Sequence, residues 1–261
     1  MQLRGKVVLI TGASEGIGAA CAAVFHKRGA RVALVARSAD KLQSAAPAGS
    51  LAIAGDITDV ATRSTIVDRT VAQFGAIDVL VNNAGIGLYA PTCSAPLDDV
   101  RAMFELNWFA PLALIQLVVP HMRKAGGGTI VNIGSIAGKV TLPWLTLYSA
   151  SKYALGSMTD GLRMELHRDG IRSMIVCPGY VETGFQSHVL SGRPPDRLMS
   201  GKKFAITPEQ CAEALVRGVE QEKRTVVTPA AGWLLTAASR LFPRIVDAQL
   251  RKMHGLRDEE A

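Results

Sequence analysis

Apolar residues fall along this chain in short runs separated by longer stretches of mixed character. Val7 to Ile10, Arg31 to Ala36, Leu51 to Ala54, Ile77 to Val81, Thr129 to Ile133, Ile171 to Val176 and Thr225 to Thr228 are rich in Val, Ile, Leu and Ala. Runs of this length without polar alternation suit strands buried on both faces. Between them, Ala19 to Arg28, about 59 to 74, Leu97 to Met122 and a stretch from Tyr148 to about His167 carry helical spacing. Gly29 stops the first of these helices and Gly161 is a mild weak point in the last. The alternation predicts an α/β fold, a doubly wound parallel sheet of about seven strands with helices on both faces, in one domain over residues 1–261.

Composition narrows this further. The 261 residues are 48% hydrophobic, with a mean hydropathy of +0.20, enough for one large core and far from disorder. The formal charge of +7 comes from basic residues scattered along the chain, so no nucleic acid partner is expected. The excess suits an anionic small ligand or an acidic membrane surface. Cys21, Cys93, Cys177 and Cys211 lie far apart with no CxxC and no His cluster, which predicts no metal site and a reducing compartment. The chain passes from Met1 through Lys6 straight into the first strand, and nothing approaches eighteen consecutive apolar residues. No signal peptide, no transmembrane helix and a cytoplasmic location are expected.

Chemistry enters at the first strand's end, where Thr11-Gly12-Ala13-Ser14-Glu15-Gly16-Ile17-Gly18 leads into a helix. Glycines there allow close backbone approach to a pyrophosphate, and the helix start offers free N–H groups and partial positive charge. An ordinary tight turn is the bland alternative. The second strand ends in Ala36-Arg37-Ser38, with no acidic group to bind a ribose 2′-hydroxyl and a guanidinium suited to a 2′-phosphate. Arg37 could equally be a solvated loop cation. Tyr148 and Lys152, four residues apart, share one helix face, so an ammonium can sit near a phenol and favour its phenolate. Ser135 directly follows the fifth strand, and Asp56, a ligand or a turn residue, follows the third. The Gly12 turn, Arg37, Asp56, Asn82, Ser135 and Pro178 all fall at predicted strand carboxyl ends, where open parallel sheets bind ligands.

These motifs, with Asn82-Asn83-Ala84-Gly85, Asn107 and Pro178-Gly179 leading to Thr183, resemble the short-chain dehydrogenase/reductase family with a single Rossmann-like domain, from Lys6 to about Thr228. The resemblance implies that Tyr148 is the general acid or base, that Ser135 hydrogen-bonds the substrate oxygen, and that Asn107 holds a water of the proton relay. It implies that Lys152 binds the nicotinamide ribose and lowers the tyrosine pKa. Thr11, Gly12, Ser14, Gly16, Ile17 and Gly18 would wrap the pyrophosphate, with Arg37 and Ser38 at the 2′-phosphate. Asp56 and Ile57 would meet adenine, and Asn82, Ala84 and Gly85 the adenosine ribose region. Pro178, Gly179, Val181 and Thr183 would line the carboxamide. The implied activity is hydride transfer between nicotinamide and a carbonyl or secondary alcohol, with NADP(H) favoured over NAD(H). Glu15 departs from the basic residue that many NADP-preferring relatives carry before the second glycine. A non-catalytic NADP-binding sensor on the same fold is disfavoured because Ser135, Tyr148, Lys152 and Asn107 are all present. An epimerase or dehydratase is opposed by the short length and the TGxxxGxG spacing.

Residues 183–207 lose periodicity and suit a loop over the site. Val140, Leu142, Trp144, Leu145, Tyr180 and Phe185 lie near the catalytic motifs, which points to an apolar lipid-, steroid- or aromatic-like ketone. In the C-terminal extension, 229–261, Gly232 to Met253 combines Trp, Leu, Phe and Ile with Arg and Lys around Pro243. It could lie on an acidic membrane, close the pocket, or pack on its own domain or another subunit. The resemblance also implies a homodimer or homotetramer through the long helices around Asn107 and Tyr148.

Overall fold

All seven apolar runs pair side by side as one parallel sheet in the order β3-β2-β1-β4-β5-β6-β7 in the computed structural model, which describes residues 1–192 and 205–253. The strands are β1 (Val7–Thr11), β2 (Arg31–Ala36), β3 (Leu51–Ala54), β4 (Val79–Asn82), β5 (Gly128–Ile133), β6 (Ile171–Pro178) and β7 (Thr225–Thr228). Register follows the apolar positions: Val8 pairs with both Val32 and Val79, and Val81 with Val131. The strand order reverses between β1 and β4, and that switch opens a crevice at the carboxyl ends.

Helices cover both faces. On one, α1 (Gly16–Lys27) and α7 (Pro208–Glu220) enclose Val8, Ile10, Phe25, Leu34 and Leu215. On the other, α3 (Val60–Phe74) and α5 (Ala110–Lys124) enclose Leu9, Val35, Ile66, Leu80 and Leu114. Alternate residues of β1 thus feed opposite layers, and each fully buried large side chain contributes about 1.5–3 kcal/mol. The short α2 (Ala39–Ala45) and α7 correspond to stretches left unassigned from the sequence. In α7 the signal is local: Pro208 occupies the first turn, and Thr207 and Gln210 cap each other's backbone amides.

The expected helix over Leu97 to Met122 is continuous but not regular. It divides into α4 (Leu97–Phe104), a π turn over Glu105–Phe109, and α5. Although no purely apolar run exists, Leu97–Lys124 is long and apolar enough by composition to cross a membrane. Here Leu114, Ile115, Val118 and Met122 of that run pack in the core with the sheet. The tyrosine helix is α6 (Thr146–Glu165), which continues past Gly161. After β7, Pro243 separates α8 (Gly232–Leu241) from α9 (Pro243–Met253). All four cysteines are free, and among the described residues no cluster of His, Cys, Asp and Glu could hold a metal ion. Residues 193–204 of the expected loop and 254–261 of the C-terminal extension lie outside the described residues.

Candidate active site

Glycine at two positions shapes the turn between β1 and α1. Gly12 is left-handed at φ 63°, and a Cβ on it would lie 2.8 Å from Ala84 Cα. At Gly18 a Cβ would run into the Gly12 carbonyl oxygen. Their absence lets α1 approach the ends of β1 and β4, and its first turn has no side-chain cap. Unclaimed amides, positive dipole and a backbone with no side chains in the way fit a pyrophosphate, so the residues present suit the dinucleotide the fold implies. Ser14 and Gly16 are half-buried in the turn, and Ile17 packs against the adjoining core.

Two residues of this region do different work from that expected. Thr11, 1% exposed, uses its hydroxyl to accept from the amides of Asn83 (3.0 Å) and Ala84 (3.1 Å), tying β1 to β4 instead of touching ligand. Asn82 is buried and donates to Asn132 Oδ1 at 2.8 Å, and Asn132 donates to Thr159 Oγ1 at 2.9 Å. This polar chain joins β4, β5 and α6 through the Asn82 amide nitrogen, while Asn82 Oδ1 is buried without a partner among the described residues. Asn83, given no role from the sequence, donates to the carbonyls of Thr11 (2.9 Å) and Gly12 (3.0 Å) and holds the glycine turn in shape. Ala84 and Gly85 remain at the crevice. A side chain at Gly85 would meet Asn107 Oδ1 at 3.1 Å and Lys152 Nζ at 3.3 Å, so this glycine keeps both accessible.

The catalytic candidates converge. Ser135 starts a short turn (Ile136–Gly138), its hydroxyl accepting from the Ala137 amide at 3.1 Å and standing near enough to the Tyr148 phenol to favour its phenolate. Tyr148 is 8% exposed on α6, and Lys152 Nζ lies 5.7 Å from its ring centroid. That ammonium donates to the Ile133 carbonyl at 2.9 Å. Burial controls both groups: it raises the phenol's pKa well above its usual range, against the pull of Ser135, and lowers Lys152 to about 8. Desolvation therefore dominates the phenol, and the downward pull on it comes from Ser135 and not from Lys152. Asn107 occupies the π turn, where irregular helix often marks function. Its amide donates to Ile86 O (2.9 Å) and Ser151 Oγ (3.2 Å), and its Oδ1 accepts from Ile86 N (2.9 Å). It braces the segment after β4 against α6, leaving one Oδ1 lone pair for a water.

Arg37 and Ser38 are exposed just beyond β2, and Arg37 has no ion-pair partner among the described residues. Asp56 accepts from the Thr58 amide (2.9 Å) and hydroxyl (2.8 Å) through Oδ1 alone, the turn role, with Oδ2 still unpaired. Ile57, beside it, packs its side chain into the core at 5% exposure, and its carbonyl accepts from Arg63 Nη1 at 3.0 Å. On the opposite side Pro178 ends β6, Gly179 donates to Thr228 O at 2.8 Å, and Val181 bridges to Ile206. Thr183 approaches the glycine turn, its Cγ2 only 3.1 Å from where a Gly16 Cβ would be.

Of the six apolar candidates, Leu142, Leu145 and Phe185 share one cluster with Tyr148, and the Phe185 and Tyr148 rings are 5.8 Å apart. Three others are placed differently. Val140 is buried and bonds its amide to Ile136 O, Trp144 sits in a turn at φ 65° with its carbonyl accepting from Ala90, and Tyr180 lines a hollow of about 420 Å³ with Glu182, Thr183 and Gly184. Leu88, Tyr89, Met103 and Val189 also belong to the cluster and were not legible as site residues. Tyr89 lies close enough to Tyr148 to raise its pKa further. Residues 86–96 carry no periodicity, so only the topology brings them here.

The sequence profile described as short chain dehydrogenase matches residues 6–193. The ketoacyl reductase HetN of Nostoc sp. is 34% identical over 259 residues, covering 94% of this chain and 88% of that protein. A short chain dehydrogenase from Burkholderia cenocepacia, solved with NADP, superposes with a TM-score of 0.81 at 28% identity, over 96% of this chain and 99% of the other. A 3-ketoacyl-(acyl-carrier-protein) reductase from Brucella melitensis, complexed with NADH, gives 0.79 at 28% identity, over 87% and 97%. With its switch-point crevice, glycine turn and Ser135–Tyr148–Lys152 set, the chain belongs to the short-chain dehydrogenase/reductase family, oxidoreductases that act on CH–OH donors with NAD(P)⁺.

Proposed function

We propose that this enzyme reduces an apolar ketone with NADPH, or oxidises the matching secondary alcohol with NADP⁺. The observation that carries the reading is the buried Tyr148, set beside Ser135 and clustered with Leu142, Leu145 and Phe185. A bound nicotinamide supplies or accepts the hydride at the carbonyl carbon. Ser135 orients the substrate oxygen, and Tyr148 delivers the proton it needs as negative charge develops there. Lys152 holds positive charge beside the phenol, and the apolar wall keeps water away. HetN and the Brucella reductase carry names for ketoacyl reduction, which suits a carbonyl on an acyl chain. A sensor reading gains nothing from so complete a proton-transfer set.

The NADP(H) preference rests on Arg37, unpaired and exposed, with Ala36 in place of an acid. A lower KM for NADPH than for NADH is expected in a screen of carbonyl compounds graded by chain length and ring size. Equal or reversed values would sink the cofactor assignment.

We infer two further associations. Phe109, Tyr153 and Met164 are exposed on the helices around the site and would be covered in a homodimer or homotetramer. Trp233, Leu234, Leu241, Phe242 and Ile245 are exposed on α8 and α9 beside Arg240, Arg244 and Lys252, a composition suited to weak contact with an acidic membrane. Co-sedimentation with phosphatidylglycerol vesicles is expected to fall when Leu234 and Ile245 are both changed to Ser. Light scattering on the same samples reads the mass. Equal sedimentation of both proteins would remove the membrane contact, and a monomeric mass the oligomer.

A further inference from the structure

Glu15 is an acid in an unfavourable place. It occupies the residue before α1, where the helix dipole and free amides await a phosphate, yet its side chain makes no capping bond. Its carboxylate is turned outward instead. One oxygen lies 3.2 Å from Lys41 Nζ on α2, and the other lies 3.4 Å from His188 Nδ1, beyond the turn that follows Thr183. The Lys41 bond spans the crevice mouth between the glycine turn and the end of β2, which Ala13 N and Val35 O also join at 3.0 Å. Lys41 stands four residues beyond Arg37, so two cations flank this edge and only one of them is occupied by an acid.

We propose that Lys41 is a second ligand for the cofactor's 2′-phosphate and that Glu15, by competing for it, sets how strongly the protein discriminates against cofactors lacking that group. This rests on the NADP(H) reading above. A dianionic phosphate near Arg37 attracts the Lys41 ammonium more strongly than one solvent-exposed carboxylate does, because exposed ion pairs are weak. When Lys41 moves to the phosphate, Glu15 is left with His188 at 3.4 Å, whose Nδ1 also lies 2.7 Å from Gly184 O. With Lys41 removed, the Glu15 carboxylate stands uncompensated beside the phosphate and repels it. Glu15 therefore lowers the discrimination that Arg37 and Lys41 provide, and the protein retains some affinity for the non-phosphorylated cofactor.

Calorimetric titration with 2′,5′-ADP and with 5′-AMP tests this without turnover. In the wild type, 2′,5′-ADP should bind more tightly. Lys41→Gln should weaken 2′,5′-ADP about 5–10-fold and 5′-AMP less than about 2-fold. Glu15→Gln should tighten 2′,5′-ADP about 3-fold or more and leave 5′-AMP nearly unchanged, and the double variant should show a Glu15 effect of reduced size. Raising salt from about 0.05 to about 0.5 M should shrink every one of these differences. Equal weakening of both ligands by Lys41→Gln, or no response of 2′,5′-ADP to either substitution, overturns the proposal while leaving the NADP(H) reading intact. If the wild type binds 5′-AMP as tightly as 2′,5′-ADP and Arg37→Gln changes neither, the cofactor reading fails and takes this inference with it.

Discussion

Replacing Tyr148 by Phe is expected to lower kcat for carbonyl reduction by about 10²–10⁴-fold, the range for loss of a general acid. Affinity for the reduced cofactor should change little. The ring stays in its cluster with Leu145 and Phe185, so the loss is confined to one hydroxyl beside Ser135. Phe fits the same space, and circular dichroism should show an unchanged fold. Ser135→Ala keeps the proton donor but removes its orienting partner, and should cost less than Tyr148→Phe. Stopped-flow measurement of the hydride-transfer step separates these effects from product release. A Tyr148→Phe protein with full activity on any substrate would disprove the mechanism.

The strands and the switch point were legible because two-sided burial leaves uninterrupted apolar runs, and turn residues mark their ends. Ser135, Tyr148 and Lys152 were legible because their spacing places them on one helix face and one strand end. Other parts depend on what the chain meets in three dimensions. Asn82 and Thr11 sit within ligand motifs, yet the Asn82 amide nitrogen is taken by Asn132 and the Thr11 hydroxyl by the amides of Asn83 and Ala84. Nothing in the spacing distinguishes a polar residue that faces a ligand from one that ties two strands. The π turn at Asn107 is likewise invisible to a 3.6-residue period, since it is held by Ile86, twenty-one residues away. Tyr89 and Leu88 reach the substrate wall by topology alone. The pKa expectation for Tyr148 erred because proximity to a charge is readable from spacing, whereas desolvation depends on everything packed around it.

That desolvation yields the second large effect. Lys152 is 4% exposed with its pKa lowered to about 8, while an unfolded chain holds it near the ordinary 10.4. Folding therefore buries a charge below pH 8, at a cost of about 3 kcal/mol by the usual conversion of pKa shift to free energy. Between about pH 8 and 10.4 the unfolded state binds more protons than the folded one, so this cost fades as pH rises. Lys152→Met, close in volume and without charge, should stabilise the ligand-free protein at pH 7 by up to about 3 kcal/mol. The gain should narrow by about pH 9.5. Above pH 10 the buried Tyr148, which keeps its proton longer than an exposed phenol, acts in the opposite sense and ends the useful window. Activity should move the other way, falling about 10²-fold or more as the positive charge beside the phenol is lost. Urea unfolding of both proteins at the two pH values, set beside their turnover, reads the trade directly. A variant less stable at pH 7, or equally stabilised at both, would show that Lys152 is held by its bond to Ile133 and not strained by burial.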